Sequence, residues 1–577
     1  MVARYRVSPR GGMGAHRDIA SALAAAARRG RPARIEIAPG HYAEPLFVRG
    51  EVELVAAGEP GSVTVGLPRG TVLETAGTVL ARGLVLASRD ADVVRCGAGA
   101  LTLEHTEVRA PGGVCVHATP GTAVTLRDSA FRHGRVLFAG AGGLVERCRF
   151  TDAADNALAA IEGAQVSVAH SRFERSRIHG IRVSGARARV TGCELTGTGN
   201  AAVMADAQAE LAVADCVVEA GHAEGVAYIE QSVGSVDRVR VTDAEHGIAV
   251  ASGSDPVVRG CAFVGCRDTG INVRTAGRGR FEDCEVGRAG NVAVHVGEGG
   301  APRVDDCRIL GGNVGVAVVS AGRGRFTGLR VADLTGVALR VRDGGKAEFE
   351  QVRVERCPTH LETRGDGGTT ADVTDAVFHD FAMSAVEALG QSRVTLRRVT
   401  AERGTVGFGV AEEAQLFVTD CGARAVSTVG AVALGKGRLV ARRLTVAGSD
   451  SIGLLAKDHA YLDVSGSEFA DCAAVGAWVR DEAGGQLVDC AVTGARGTGV
   501  RHNGRVAMPS LRTSLPVEEA EEPAQAPANV TYVMGPALTI HGNVINSQIA
   551  VGNERVEMNQ HITSRQPTQT DEDGTPA

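Results

Sequence analysis

Eight polar side chains recur along the middle of the chain at intervals of 21 to 24 residues. They are Asn156, His179, Asn200, His222, His246, Asp268, Asn291 and Asn313. Imidazole, carboxyl and amide groups in one line could transfer protons or bind an extended polar ligand, and Glu224 and Tyr228 are close by in the sequence. The same residue types also tolerate left-handed backbone and bond to turn amides, so a purely structural interpretation stays open.

The 13 cysteines form neither a metal-binding nor a disulfide pattern. Eight of them share one position of a repeated unit: Cys148, Cys193, Cys216, Cys261, Cys284, Cys307, Cys421 and Cys490. Three more follow that position by five residues: Cys266, Cys357 and Cys472. A column of equivalent cysteines spreads its thiols along an axis instead of converging them on one ion, and side chains that point alike disfavour the disulfide torsion. We therefore predict reduced core thiols, no metal and no cofactor.

The repeated unit predicts the fold. A small residue or Cys has an apolar residue three positions before it and another two positions after it, as in Phe281 and Val286, and this recurs nineteen times from residue 83 to residue 490. The mean period is 22.6 residues, and short alternations such as 270–273 follow in each unit. Two or three short strands with no room for a helix indicate one coil of a parallel β-helix. Arg397 and Arg442 fall at the inward position, so we expect bulges that carry both side chains to solvent.

The N-terminal segment resembles a known family. Residues 18–29 are Ala-rich, begin with Asp18, and are followed by Gly30, which predicts a helix with its stop signal. The helix and the following segment "IEIAPGHYAEPLFV" resemble the entry of pectin-lyase-like right-handed parallel β-helix proteins, and the likeness covers about residues 10–504. The resemblance implies an all-β, single-stranded right-handed solenoid of about 19 to 21 coils of 22–23 residues, with a capping helix. It does not imply one activity, because the superfamily holds lyases, hydrolases, epimerases and non-enzymes.

Five regions follow from this interpretation. They are an N-terminal cap with a short helix (1–32), the β-helix (33–504), an acidic linker rich in Pro, Glu and Ala (505–533), a β-prone tail segment (534–562) and a disordered terminus (563–577).

The tail segment has two open interpretations. It is uncharged over 537–553 and resembles the amyloid-signalling motifs of bacterial innate-immunity proteins, which are related to the RIP homotypic interaction motif. The residues that carry this resemblance are Gly542, Asn543, Val544, Asn546, Gln548, Ile549, Val551, Gly552 and Asn553. One interpretation is self-assembly through these residues, and the other is a hairpin that covers the exposed edge of the last coil.

Charge and composition exclude several classes of protein. The net charge is −6 and no basic stretch marks a nucleic-acid partner. No apolar run reaches 18 residues and the first residues lack a hydrophobic signal, so we expect no membrane partner and a cytoplasmic location.

The sequence favours a non-catalytic scaffold that presents a long β face to a protein partner, with possible self-assembly through the tail. The basis is that no run of coils supplies clustered carboxylates, and that one Trp and five Tyr leave few stacking platforms for sugars. The alternative is a carbohydrate-active enzyme, a polysaccharide lyase, hydrolase or epimerase. The two differ in whether a groove gathers several ionisable side chains.

Overall fold

The chain winds as a parallel β-helix of about 21 turns, which confirms the predicted all-β solenoid. The computed structural model describes residues 2–11, 14–221 and 224–519. Each turn contributes three short strands, and each strand pairs in parallel with the equivalent strand one turn away, as Ile181 pairs with Val203. Stacking these pairs produces three long sheets that enclose one narrow core, which we name sheets 1, 2 and 3.

The strands are assigned to the sheets as follows. Sheet 1 contains Val114–Ala118, Arg135–Ala139, Leu158–Ile161, Ile181–Ser184, Ala201–Asp206, Glu224–Tyr228, His246–Val250, Thr269–Val273, Val337–Arg342, Ile452–Ala456, Val475–Val479, Thr498–His502 and Val517–Glu519. Sheet 2 contains Ala3–Val7, Ala33–Ile37, Ala123–Arg127, Gly142–Glu146, Gln165–Ala169, Arg187–Thr191, Glu210–Ala214, Val233–Asp237, Asp255–Arg259, Arg280–Glu282, Arg303–Asp305, Arg323–Thr327, Lys346–Glu350, Thr370–Thr374, Arg393–Arg397, Gln415–Thr419, Arg438–Arg442, Tyr461–Ser465, Gly484–Val488 and Val506–Ala507. Sheet 3 contains Gly40–Tyr42, Val63–Gly66, Leu84–Ala87, Glu107–Arg109, Ala130–Arg132, Arg149–Thr151, Arg172–Glu174, Glu194–Thr196, Val217–Glu219, Arg240–Thr242, Ala262–Val264, Arg330–Ala332, Thr445–Ala447, Glu468–Ala470, Ala491–Thr493 and Arg512–Thr513.

Longer strands bend from one sheet into the next. Three run from sheet 1 into sheet 2: Leu46–Ala56, Leu73–Arg82 and Asp92–Glu104. Six run from sheet 3 into sheet 1: Glu285–Val296, Arg308–Val318, Arg353–Gly365, Val377–Gly390, Thr400–Val410 and Gly422–Ala433. The two-residue strand Ala15–His16 pairs with the first strand at the N-terminal end.

The predicted helix at the N-terminus spans Ile19–Arg29. Asp18 caps it by accepting a hydrogen bond from the Ser21 amide at 2.7 Å, and Gly30 ends it in the left-handed conformation, with φ of 59°. The Glu44 carboxylate accepts from the Ile19 and Ala20 amides at 2.9 and 2.8 Å, so the first coil holds the free amides of the helix.

The predicted inward register is confirmed. Six residues chosen from their shared offsets are at most 1% exposed: Val213, Val218, Phe281, Val286, Val304 and Ile309. Identical residues stack on successive turns, as in Phe131, Phe150 and Phe173, whose ring centroids are 5.0 and 4.5 Å apart. One turn per rung places equivalent side chains at about 4.8 Å, which suits such offset stacking.

All 13 cysteines are buried and free, as predicted for core residues. Burial raises the pKa of Cys115 to about 12, so this thiol stays protonated.

Two turns correct the sequence register, since the inward positions there are Val399 and Leu444 and not Arg397 and Arg442. Arg397 and Arg442 are each the last residue of a sheet 2 strand, and their side chains reach solvent. The expected bulges are not needed, because the inward residues of successive turns, counted through Val399 and Leu444, stay 22 or 23 residues apart.

The stacked strands run fifteen residues past Gly504, to Val517–Glu519, into the segment expected to be linker. The tail segment 534–562 and the terminus 563–577 lie outside the described residues, as do all the candidate assembly residues.

Among the described residues, no helix is long and apolar enough to span a membrane.

Candidate functional site on the outer face of sheet 1

One residue of each sheet 1 strand points away from the core, and the strand register links these residues into a single line that we call the outer column. From the N-terminal to the C-terminal end it contains Phe47, Glu74, Arg95, His117, Leu137, Ala159, Arg182, Met204, Ala227, Ala249, Asn272, His295, Ala317, Arg340, Glu362, Glu387, Gly409, Val432, Leu455, Trp478, Arg501 and Glu518. Neighbours in this line are about 4.8 Å apart.

Two apolar patches of the outer column leave a polar gap between them. Met204, Ala227 and Ala249 form a cluster separate from the main core, and Ala317 belongs to a second such cluster. Asn272 and His295 occupy the two positions between these patches. A polar group at this point therefore interrupts a face whose neighbouring side chains are small and apolar, so an extended molecule could lie across it.

Five side chains from three successive turns lie at this gap in two contacting groups, one around Asp268 and one formed by Asn272 and His295, and we call them the histidine cluster. They are His246, Asp268, Asn272, Asn291 and His295. They come from the sheet 1 strands and from the turns that lead into those strands. The parallel register brings them together although 49 residues separate the first from the last.

His295 has the geometry of a proton acceptor. Its Nδ1 lies 3.2 Å from Oδ1 of Asn272, and because an amide oxygen only accepts hydrogen bonds, Nδ1 carries the proton and Nε2 keeps its lone pair. Burial is the main cause that lowers the pKa of His295, with smaller contributions from His246 and Arg274 and opposition from Asp268 and Glu298. The imidazole is therefore neutral near pH 7 and can take up a proton there.

A glycine leaves room beside this ring. A Cβ added at Gly297 would lie 2.9 Å from Cε1 and 3.5 Å from Nε2 of His295. Any side chain at position 297 would therefore crowd the edge of the imidazole that carries the free lone pair.

The rest of the cluster is acidic and partly open. Nδ1 of His246 lies 3.7 Å from Oδ2 of Asp268, and Asn291 donates a hydrogen bond to Oδ1 of Asp268 at 3.0 Å. The side chain of Asp268 is 37% exposed and that of His246 is 16% exposed. The Asp268 carboxylate therefore lies beside His246 and Asn291 and remains accessible from solvent.

An exposed cation borders the cluster. Arg274 follows Asn272 by two residues and is close enough to His295 to lower the pKa of that imidazole. Within 2–11, 14–221 and 224–519, Arg274 has no ion-pair partner. Its guanidinium is thus available to an anionic ligand next to a neutral base.

The eight polar residues singled out from the sequence do not form one column. His246 pairs with Thr269, the residue after Asp268, so His246 and Asp268 are one position out of step. Asn156 and His179 are 5% and 6% exposed, and Nδ1 of His179 accepts a hydrogen bond from the Ala201 amide at 3.1 Å. Burial lowers the pKa of His179, which keeps that acceptor neutral.

The remaining members of that set are placed as follows. Asn200 is exposed at the turn before its sheet 1 strand, and Asn313 is exposed within the bent strand Arg308–Val318, while His222 lies outside the described residues. Asn272, His295 and Arg274 were not singled out from the sequence. Their signal is a polar residue at the outward position of a strand whose neighbours carry alanine there, as Ala249 and Ala317 do.

A second polar group lies three rungs further along the outer column. Glu362 and Glu387 occupy paired positions and are both 0% exposed. Glu362 forms ion pairs with Arg340 at 3.4 Å and with Arg342. We call these two carboxylates the glutamate pair, and because neither reaches solvent, a polymer on the surface cannot touch them. In the part of the chain that the structure describes, no cluster of three or more His, Cys, Asp or Glu is arranged to hold a metal ion.

Comparisons with known proteins agree on the fold. The family described as "Right handed beta helix region" matches residues 93–263, 224–367 and 360–508. No curated protein matches the chain. Solved structures match it at 10–13% identity, a level at which the likeness concerns the fold alone.

Three of these structures are named as enzymes. A PL6-family alginate lyase, AlyGC, aligns with 10% identity and a TM-score of 0.30 over 88% of this chain and 100% of its own. A GH87 alpha-1,3-glucanase catalytic unit from Streptomyces thermodiastaticus aligns with 13% identity and a TM-score of 0.23 over 85% and 67%. The A-module of mannuronan C-5 epimerase AlgE4 from Azotobacter vinelandii aligns with 10% identity and a TM-score of 0.20 over 66% and 90%.

The expectation of a non-catalytic scaffold is wrong, because ionisable side chains do gather on the outer face of sheet 1. It rested on the lack of clustered ionisable groups along any run of coils. That criterion failed because the residues of the histidine cluster come from three different turns. Strand pairing brings them together, and counting at the repeat spacing along the sequence does not.

Proposed function

Since the chain belongs to the right-handed β-helix family, we propose that it acts on an acidic polysaccharide laid along the outer face of sheet 1, and that it cleaves the polymer by elimination. The histidine cluster is the catalytic site of this proposal. The observation that carries it is a neutral imidazole, His295, with a free Nε2 next to the unpaired guanidinium of Arg274.

These two groups match the two needs of elimination on a uronic acid unit. The proton on the carbon next to a carboxylate is hard to remove until the charge of that carboxylate is neutralised, and Arg274 is placed to neutralise it. Nε2 of His295 then takes the proton, the electron pair forms the new double bond, and the bond from the next carbon to the glycosidic oxygen breaks. The leaving oxygen takes its proton from water, which reaches the cluster on the exposed side of Asp268.

The cluster suits elimination better than hydrolysis. Glycoside hydrolases use two carboxyl groups about 5 to 9.5 Å apart on either side of the bond that breaks. The histidine cluster contains one carboxylate, Asp268, and the glutamate pair is closed to solvent. The reactive groups that remain are a base, His295, and a cation, Arg274. These are the groups that abstraction of a proton next to a carboxylate requires.

Ultraviolet absorbance of the unsaturated product tests the proposal. The full chain is incubated with polygalacturonate, alginate and a neutral glucan, and the expected result is absorbance from one or both acidic polymers and none from the glucan. His295→Ala should lower the rate by about 10²–10⁴-fold, the usual contribution of a general base. The rate should also rise with pH up to the lowered pKa of His295 and then level off, because only the neutral imidazole accepts a proton.

The matched control is His117→Ala. His117 belongs to the same outer column, eight rungs from His295, and its Nδ1 lies 2.6 Å from Asp92. Its loss should leave the rate within twofold. Equal loss in both variants, release of reducing ends without absorbance, or inertness toward both acidic polymers would contradict the proposal.

A further inference from the structure

The outer face of sheet 3 carries three arginines on consecutive turns, in register with one another. Arg308 pairs with Arg330, and Arg330 pairs with Arg353, so the three guanidiniums rise from neighbouring rungs. We call them the arginine ladder. Like charges at paired positions of neighbouring strands repel, so an anion bound across them would relieve that repulsion.

Two members of the ladder form no ion pair. Arg353 pairs with Glu355, but Arg308 and Arg330 have no ion-pair partner in the described part of the chain, and Glu285 occupies the position next to Arg308 on the preceding turn. Two other arginines at this position of the sheet are ion-paired, Arg149 with Glu174 at 2.9 Å and Arg172 with Glu194 at 2.6 Å, whereas Arg240 forms no ion pair among the described residues. The ladder differs from these positions because three arginines stand in register on consecutive turns and two of them form no ion pair.

An apolar floor runs beside the ladder. Leu310 is 42% exposed and pairs with Ala332 on the next turn, so small and apolar side chains line the strip next to the guanidiniums. Together with Glu355 and Arg356 they border a groove of about 510 Å³. Sugar rings present C–H faces to such a floor while their carboxylates point aside to the cations.

We propose that the arginine ladder binds the carboxylates of a linear acidic polysaccharide that lies parallel to the helix axis. This surface is separate from the histidine cluster, and the inference goes beyond the proposed function because it requires no reaction. Each rung offers one cation, and an extended chain of uronic acid units offers one carboxylate per unit at a comparable advance. The ladder thus fits a polymer with regularly spaced charges.

Nucleic acid fits this surface less well. Phosphates advance by about 3.4 Å along each strand of a duplex, out of step with rungs about 4.8 Å apart. Single strands bind through aromatic platforms, and no aromatic residue lines the groove. The net charge of the chain is also negative, so only local contacts would hold a polyanion.

Affinity electrophoresis of the full chain through gels that contain polygalacturonate, alginate or neutral dextran tests the inference. The wild type should be retarded by at least one acidic polymer and not by dextran. The Arg308→Glu and Arg330→Glu double variant should bind at least tenfold more weakly, and added salt should weaken the wild type more steeply than the variant. The control is the Arg149→Glu and Arg172→Glu double variant, which changes the net charge equally and should bind within twofold of wild type.

Retardation in the gel requires no reaction, so failure of the proposed elimination appears as missing absorbance with retardation intact, and failure of this surface appears as retardation that the Arg308→Glu and Arg330→Glu variant does not change. If the double Glu variant does not fold, the Arg308→Gln and Arg330→Gln variant replaces it with the same expectation. Equal loss in the control double variant, no retardation of wild type by either acidic polymer, or tighter binding to single-stranded polyuridylate than to polygalacturonate would overturn the inference.

Discussion

The histidine cluster and the glutamate pair lie three rungs apart in the same outer column, yet they differ in every property that decides chemistry. The histidine cluster is partly exposed, with Asp268 at 37%, and its base is neutral and oriented by an amide. The glutamate pair is 0% exposed and Glu362 is bound by two arginines. Polar residues on one face of a regular solenoid therefore do not share one role.

The difference follows from what surrounds each group. Next to His295, Gly297 and Ala317 keep the face open. Around Glu362, the long side chains of Arg340 and Arg342 lie across the face, and burial lowers the pKa of Arg340. An ion pair of this kind resists loss of either partner, whereas an open neutral base can exchange protons with a ligand.

The largest expected effect is on stability, from Glu362→Gln. This change removes the counter-charge of two arginines whose side chains are 23% and 32% exposed, and breaking a buried pair costs about 3–5 kcal/mol. We therefore expect a loss of about 3 kcal/mol in the free energy of unfolding, measured with urea. The control Glu194→Gln breaks an exposed pair with Arg172 and should cost less than about 1 kcal/mol. Equal costs would erase the distinction between closed and open polar groups.

A second prediction concerns acid stability near the glutamate pair. Burial lowers the pKa of His360 to about 3, and the T-shaped rings of Phe378 and Phe381 pack against it. The unfolded chain takes up this proton near pH 6.5, so stability is complete above that value and falls by about 1.4 kcal/mol per pH unit down to about pH 3. Unfolding free energies at pH 7 and pH 5 should therefore differ by about 2 kcal/mol less in His360→Leu than in wild type. The same difference in both proteins would contradict the neutral, buried state of His360.

The sequence predicted the fold because the inward positions repeat within every turn. Phe281 and Val286 lie at the same distances from the repeated Cys position as their equivalents in other turns, and both are buried in the narrow core. The register slipped where two offsets satisfied the pattern equally, as at Arg397, where the inward residue is Val399. The apolar flanks of either position are buried, Val394 and Val399 for one and Leu396 and Ala401 for the other, so the flanks alone cannot tell which position is inward.

The candidate site was less predictable because it depends on turns of variable length. The turn from sheet 3 to sheet 1 contains two residues at 133–134 but six at 152–157. Counting from the repeated core position therefore misaligned His246 with Asp268 and overlooked His295, whose place is fixed by strand pairing in sheet 1. The glutamate pair was hidden similarly, because its members are 25 residues apart and not one mean period.

The smallest expected effect comes from a single methyl group, in Gly297→Ala. The new Cβ would lie 2.9 Å from Cε1 of His295, so the ring must move and its 3.2 Å hydrogen bond to Asn272 must lengthen. Misplacement of a base lowers the rate of the proton transfer more than it lowers substrate binding, so we expect kcat for the proposed elimination to fall about tenfold with KM within twofold. Gly287→Ala is the control. Gly287 lies on the strand that carries His295, and a Cβ added there would meet nothing closer than 3.7 Å. An unchanged kcat in Gly297→Ala would mean that the open space beside His295 has no part in the reaction. The difference between the two polar groups would then rest on charge pairing alone.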